Sequence, residues 1–167
     1  MGEPRQTERG AAAELAHAKA LIEKQDFKSA IALFEDLLGS GLPIDLASEV
    51  QTNLAAALCT VAQSDDIPEA TAMTQLEQAR VLLAQALLHY QPMTAPREWA
   101  SARANLALVY LARHRLSGSH NDVLQAHMAL DGTEQALRKV DDVNLTGWIE
   151  AIRDYLLDMR DRRSRRR

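Results

Sequence analysis

Apolar residues recur at helical spacing along almost the whole chain, and no stretch alternates the way a half-buried strand would. After a leader over 1–8, expected to be loose, "AAAELAHAKALIEK" (11–24) predicts a first helix and "FKSAIALFEDLL" (27–38) a second. Ile31, Phe34, Leu37 and Leu38 give the second helix an apolar stripe; Asp26 is placed to cap its start, Gly39 to stop it, and Pro43 lies just beyond. "LASEVQTNLAAALCTVA" (46–62) predicts a third helix. "QSDDIP" then breaks the chain, with Asp66 and Glu69 spaced as a capping box around Pro68. A fourth helix runs to about Tyr90, and Pro96 opens a fifth, "PREWASARANLALVYLA". Past the loop "LSGSHND", Val123, Ala126, Leu130, Thr133, Leu137 and Val140 mark a sixth helix. "DDVN" introduces a seventh around Trp148, Ile152, Tyr155 and Leu156.

The fifth helix is apolar on nearly every side and must be covered on more than one face. Internal repeats suggest how. "QTNLAAAL" (51–58) and "RANLALVY" (103–110) share an Asn-Leu-Ala core 52 residues apart, and "EWASARAN" (98–105) has a weaker echo in "GWIEAIRD" (147–154). On the alternate helices, Ala30, Phe34 and Leu37 recur as Ala79, Leu83 and Ala86, and again as Ala129, Thr133 and Ala136, with the same four-then-three spacing. Helix pairs repeating in this way indicate a stacked helical array.

These residues resemble divergent tetratricopeptide repeats. The first hairpin has small Ala18 and larger Leu21 on its first helix, "DF" at the turn, then Ala30, Phe34 and Leu37, with Pro43 closing the unit. The second matches with Ala55, Leu58, Ala79, Leu83, Ala86 and Pro92, and the third with Ala107, Tyr110, Ala129 and Ala136. The likeness covers about residues 11–160. It departs from the family in about ten extra residues around the turns of repeats two and three, in the absent Trp and Gly of the first helix, and in Thr133 at a large-apolar position. The resemblance implies an all-α, right-handed stack of about three hairpins plus a C-terminal capping helix, as one helical domain over 9–159.

Length and composition agree with such a domain. The chain has 167 residues, 47% hydrophobic and 25% charged, with only 4% aromatic; abundant Ala and Leu favour close helix packing over a β-sandwich. The single Cys59 lies in an apolar helical run and reads as a buried small hydrophobe. The opening residues lack the apolar stretch of a signal peptide, Gln6 stands where a myristoylation signal needs Ser or Thr, and no uncharged run is long enough for a membrane span. A cytoplasmic location is the expectation. Net charge is −4, unevenly divided: residues 160–167, "RDRRSRRR", hold six Arg against Asp161, a local balance of +5, and the rest of the chain carries −9.

Catalytic candidates are few. Glu14 and His17 have the Glu-x-x-His spacing of di-metal bundles, without the second pair and additional Glu such a site needs. His114, His120 and His127 are too far apart to ligate from one helical turn. Asp65, Asp66, Asp141 and Asp142 sit at helix boundaries, where capping explains them. No GxSxG, HExxH or CxxC occurs. The expectation is a non-enzymatic chain with no metal and no cofactor.

The first helices of the repeats carry the functional expectation. With Leu54, Ala55 and Leu58 turned toward neighbouring helices, helical geometry puts Thr52, Asn53, Ala56 and Cys59 on the opposite face. With Leu106, Ala107 and Tyr110 inward, it leaves Ser101, Ala104, Asn105, Leu108 and Leu111 outward. The resemblance implies that first helices line a concave groove, to which Leu15 and Lys19 also belong. Two occupants fit: the seventh helix folding back, or a peptide or amphipathic helix of a partner. Asn53 and Asn105 are mid-helix residues of poor propensity whose amides are available to a ligand backbone, to a neighbouring helix or to water. Some tetratricopeptide proteins grip a partner's C-terminal carboxylate with Lys, Arg and Asn from successive first helices, and most of that positive charge is missing here. The expected function is an adaptor, scaffold or chaperone-like module. The alternative is a nucleic-acid-associated protein touching phosphates through Arg160, Arg162, Arg163, Arg165, Arg166 and Arg167. The tail lacks interleaved aromatics for base stacking, and it also suits an acidic surface such as a second copy's body.

Overall fold

The computed structural model describes residues 3–164, with side chains over 8–160. All regular structure among them is helical: α1 (Glu3–Glu23), α2 (Phe27–Gly39), α3 (Ile44–Val61), α4 (Glu69–His89), α5 (Pro96–Ser117), α6 (His120–Ala129), α7 (Thr133–Leu137) and α8 (Val143–Ser164). No helix among the described residues is long and apolar enough to cross a membrane. The chain divides into two compact units between His89 and Tyr90.

In the first unit α1 and α2 form a hairpin, α3 packs against both of them, and α4 returns along α3. Asp26 caps α2 as expected, its Oδ1 accepting from the Ser29 N–H at 3.2 Å; that bond holds its carboxyl below the usual value. Ala30, Phe34 and Leu37 of α2 are buried, as are Ala79, Leu83 and Ala86 of α4, so the four-then-three spacing marks the core side of both second helices. Ala55 is fully buried between larger side chains, where its single methyl lets neighbouring helices approach closely.

The second unit is built around α5, which packs against α6, α7 and α8, while α8 also touches α6 and α7. Its core joins Ala100, Ala104 and Ala107 of α5 to Ala126, Ala129, Leu130 and Leu137 and to Leu145, Ile149, Ile152 and Leu156 of α8. The α6–α7 segment and α8 thus cover the side of α5 that carries Ala100, Ala104 and Ala107; Ala102, Val109 and Ala112 are buried as well, outside this cluster. Asp142 starts α8, its Oδ1 accepting from the Leu145 N–H at 3.0 Å, and Arg97 closes on the same carboxylate at 2.6 Å.

Several boundaries differ from the sequence expectation. Helix α1 begins at Glu3, inside the supposed leader, because Pro4 falls in the first turn, where no intrahelical donor is needed. Ser40 follows α2 and Gly41 takes the left-handed conformation (φ 76°), so the glycine that turns the chain is Gly41 and not Gly39. The Pro68 carbonyl accepts the Ala72 N–H at 2.9 Å, which puts Pro68 at the cap position of α4 and Asp66 two residues too early for a capping box. The sixth helix is split. Gly132, at φ 78°, ends the α6 segment and starts α7, leaving Ala129 and Thr133 buried on either side of the break.

Candidate functional site

Helix α3 buries Ser48, Val50, Leu54, Ala55, Ala57, Leu58 and Cys59, while Glu49, Thr52, Asn53 and Ala56 are half-buried and Thr60 exposed along one face at helical spacing. Lys19 reaches this strip from α1 and ion-pairs with Glu49, so the one cation expected in the groove is already matched by a carboxylate of the same face. Both side chains are about two-fifths exposed, which leaves the pair screened and of modest worth. The polar side chains bond back to their own helix: Thr52 Oγ1 donates to the Ser48 carbonyl at 2.9 Å and Asn53 Nδ2 to the Glu49 carbonyl at 2.8 Å.

The register repeats in α5. Ser101, Asn105 and Leu108 stand 52 residues after Glu49, Asn53 and Ala56, are likewise half-covered, and Asn105 Nδ2 donates to the Ser101 carbonyl at 3.1 Å. Leu108 and Leu111 are partly buried against the core of their unit. The Asn amides thus spend one N–H on the preceding turn and bond to no neighbouring helix; the second N–H of each amide is left for another acceptor.

Three residues placed on the open face are not there. Ala104 is fully buried, in the cluster to which α8 contributes Leu145, Ile149, Ile152 and Leu156; its register mate Thr52 remains half-covered. Leu15 is buried too, since the leucine of α1 turns into the hairpin core beside Ala18. Cys59 is buried, as its apolar run led one to expect and against its placement on the open face of α3, and burial pushes its thiol up to about 11. The tail also differs: α8 runs through Ser164, so Arg160, Arg162 and Arg163 stand on a helix. Arg160 is exposed, the side chains of Arg162 and Arg163 lie outside the described residues, and so do Arg165, Arg166 and Arg167 entirely.

The catalytic candidates stay scattered. Glu14 and His17 are both exposed on α1. His114 Nδ1 lies 2.8 Å from the Ser119 carbonyl oxygen, and its ring is 5.9 Å from that of His120. No group of three or more metal-ligating side chains occurs among the described residues.

Charged residues that the sequence pattern did not single out hold the second unit together. Asp122, at the start of α6, is buried with Arg113 Nε 3.5 Å from Oδ1, and the Arg113 guanidinium lies 5.9 Å over the Tyr110 ring. Arg103 sits 5.2 Å over Trp99 and donates to the Met128 carbonyl at 2.6 Å; burial lowers its pKa. These contacts join residues up to 25 positions apart, which helical periodicity does not report.

Comparison with family models, with curated proteins and with solved structures finds no match to this chain.

Proposed function

We propose that this protein is a non-enzymatic interaction module with tetratricopeptide-like hairpins, binding a peptide or amphipathic helix of a partner along the half-buried strips of its first helices. The observation that carries the reading is the repeated strip itself: Glu49, Asn53 and Ala56 on α3 recur as Ser101, Asn105 and Leu108 on α5, all six half-buried at the same register, with Leu108 leaning on the core of its unit. Mixed small, amide and aliphatic side chains on a helix surface suit an amphipathic helix, which brings its own apolar face and asks little charge of the receptor. Further support comes from the way each unit is arranged, a hairpin with a following helix packed on both its members. The test is affinity capture from the source cells with the intact protein and with Ala56→Arg and Ser101→Arg, both at half-covered positions. Each Arg buries an unpaired charge in the complex, so partners held by the intact protein should be lost at unchanged helicity and melting temperature. Capture that survives both substitutions rejects the first-helix faces.

A further inference from the structure

The second unit carries a cleft of ≈ 650 Å³, separate from the first-helix strips, between the 92–96 turn, the first turns of α5, and α7 with its trailing turn. Its size falls within the roughly 300–1,000 Å³ typical of ligand sites. Met93, Pro96, Trp99 and Val140 form an apolar wall, and Arg138 and Lys139 stand on the rim. Met93 is 87% exposed, an unusual placement for a large apolar side chain. Gly132 lies beside Trp99, a Cβ there falling in ordinary van der Waals contact with the ring at 3.5 Å.

The charge of the cleft is one-sided. No Asp or Glu lines it, and neither the Arg138 nor the Lys139 side chain has a hydrogen bond or ion pair among the described residues. Of the flanking carboxylates, Asp142 is engaged with Arg97 and with the start of α8 and Glu134 with Arg153, while Glu98, Asp131 and Asp141 are exposed beside lining residues without lining the cleft themselves. Arg138 and Lys139 beside an apolar wall favour an anion carrying an apolar body, a local attraction that must outweigh the repulsion from the acidic remainder of the chain.

We propose that this cleft binds a short acidic peptide segment, with a bulky apolar side chain seated against Met93, Pro96, Trp99 and Val140 and flanking carboxylates on Arg138 and Lys139. A Trp and a Met beside an Arg are side chains that anchor peptide contacts. A nucleotide fits less well, since Gln135 is the one neutral amide side chain in the lining to read a base edge, and no glycine-rich turn offers backbone N–H groups to phosphates. The site is independent of the first-helix strips, and either reading survives failure of the other.

The experiment follows the two indole N–H resonances of the ¹⁵N-labelled full chain, assigned with Trp99→Phe, since the sequence has two Trp. The probes are a nonapeptide with a central Leu-Phe pair flanked by Glu, its counterpart with Lys in place of Glu, and AMP. The Glu peptide should shift the Trp99 indole saturably, and the Lys peptide should not. Arg138→Glu with Lys139→Glu should weaken the Glu peptide at least tenfold at unchanged melting temperature, and Met93→Asp, at an equally open position, should do the same. The proposal is overturned by a Trp99 resonance that the Glu peptide leaves in place, by equal response to the Lys peptide, by binding that survives charge reversal, or by response to AMP alone.

Discussion

Arg153 Nη2 of α8 lies 3.0 Å from Thr133 Oγ1 and 3.0 Å from the Leu130 carbonyl oxygen, while Nη1 meets Glu134 Oε2 at 3.1 Å. One guanidinium therefore closes the break at which α6 gives way to α7, and it explains a hydroxyl where the repeat resemblance leads one to expect a large apolar residue. Arg153→Ala removes these three contacts, although the Leu130 carbonyl keeps the Thr133 hydroxyl at 2.7 Å and Glu134 stays solvated, and should lower stability by about 1–2 kcal/mol in urea unfolding. Arg153→Lys, which has no planar fork, should recover less than half of the loss. A neutral Arg153→Ala would show that the break is held by packing alone.

Gln25 is the one non-glycine residue with positive φ (62°) among those described. The Gln25 N–H donates to the Ile22 carbonyl and the Asp26 N–H to the Leu21 carbonyl, each at 2.9 Å, a Schellman end for α1 with a side chain where glycine is easier. Gln25→Gly should raise stability by about 0.5–1 kcal/mol, the relief of left-handed strain exceeding the entropy given to the unfolded chain. Thermal melting reads the difference directly, and a lowered midpoint would remove the strain argument.

Thr52 and Ala104 share a register and differ in cover. Ala104→Arg forces a charge into the cluster shared with α8 and should cost more than about 3 kcal/mol or prevent folding. Thr52→Arg, at a half-covered position, should cost under about 1 kcal/mol. Equal losses in chemical denaturation would mean that the α3 strip is covered as fully as α5.

The Cys59 thiol is raised from 9.0 to about 11 by burial. The folded state thus favours the protonated thiol. Its contribution is fully present below the unfolded pKa, and it falls away as pH climbs through 11. Stability should decline between pH 9 and 11 more steeply in the native protein than in Cys59→Ala, and the thiol should resist a disulfide reagent at pH 8 until denaturant is added. Rapid labelling of the folded protein would contradict the burial.

Much of the fold was legible in the sequence because it is written in local periodicity. Of the nine second-helix repeat positions, only Ala136 escapes full burial, and the spacing of Phe34 from Ala30 and Leu37 is a property of one helix face. Within the expected strips, Thr52, Asn53, Ala56, Ser101 and Asn105 keep partial exposure at the spacing of the Asn-Leu-Ala core. What escaped depends on distant partners. Ala104 looked open because nothing in its own helix says that α8 closes over it, and Leu15 because alanines on both sides leave the apolar stripe of α1 without a clear edge. Gly132 was passed over because apolar spacing continues straight through it, although a left-handed glycine interrupts the helix there. The Trp99 cleft joins residues 92–99 to residues 132–140, about 40 positions on, a pairing that periodicity within either segment does not report; a bare Met between two prolines was the one local sign.

The central claim, that the half-buried first-helix strip is where a partner sits, is tested most directly by placing a photo-crosslinking amino acid at Ala56 and, as a control, at exposed Ala84 of α4 in the source cells. A discrete adduct is expected from position 56, absent from position 84 and abolished by Thr52→Arg in the same chain. Adducts from position 84 alone, or an adduct at 56 indifferent to Thr52→Arg, would contradict the claim.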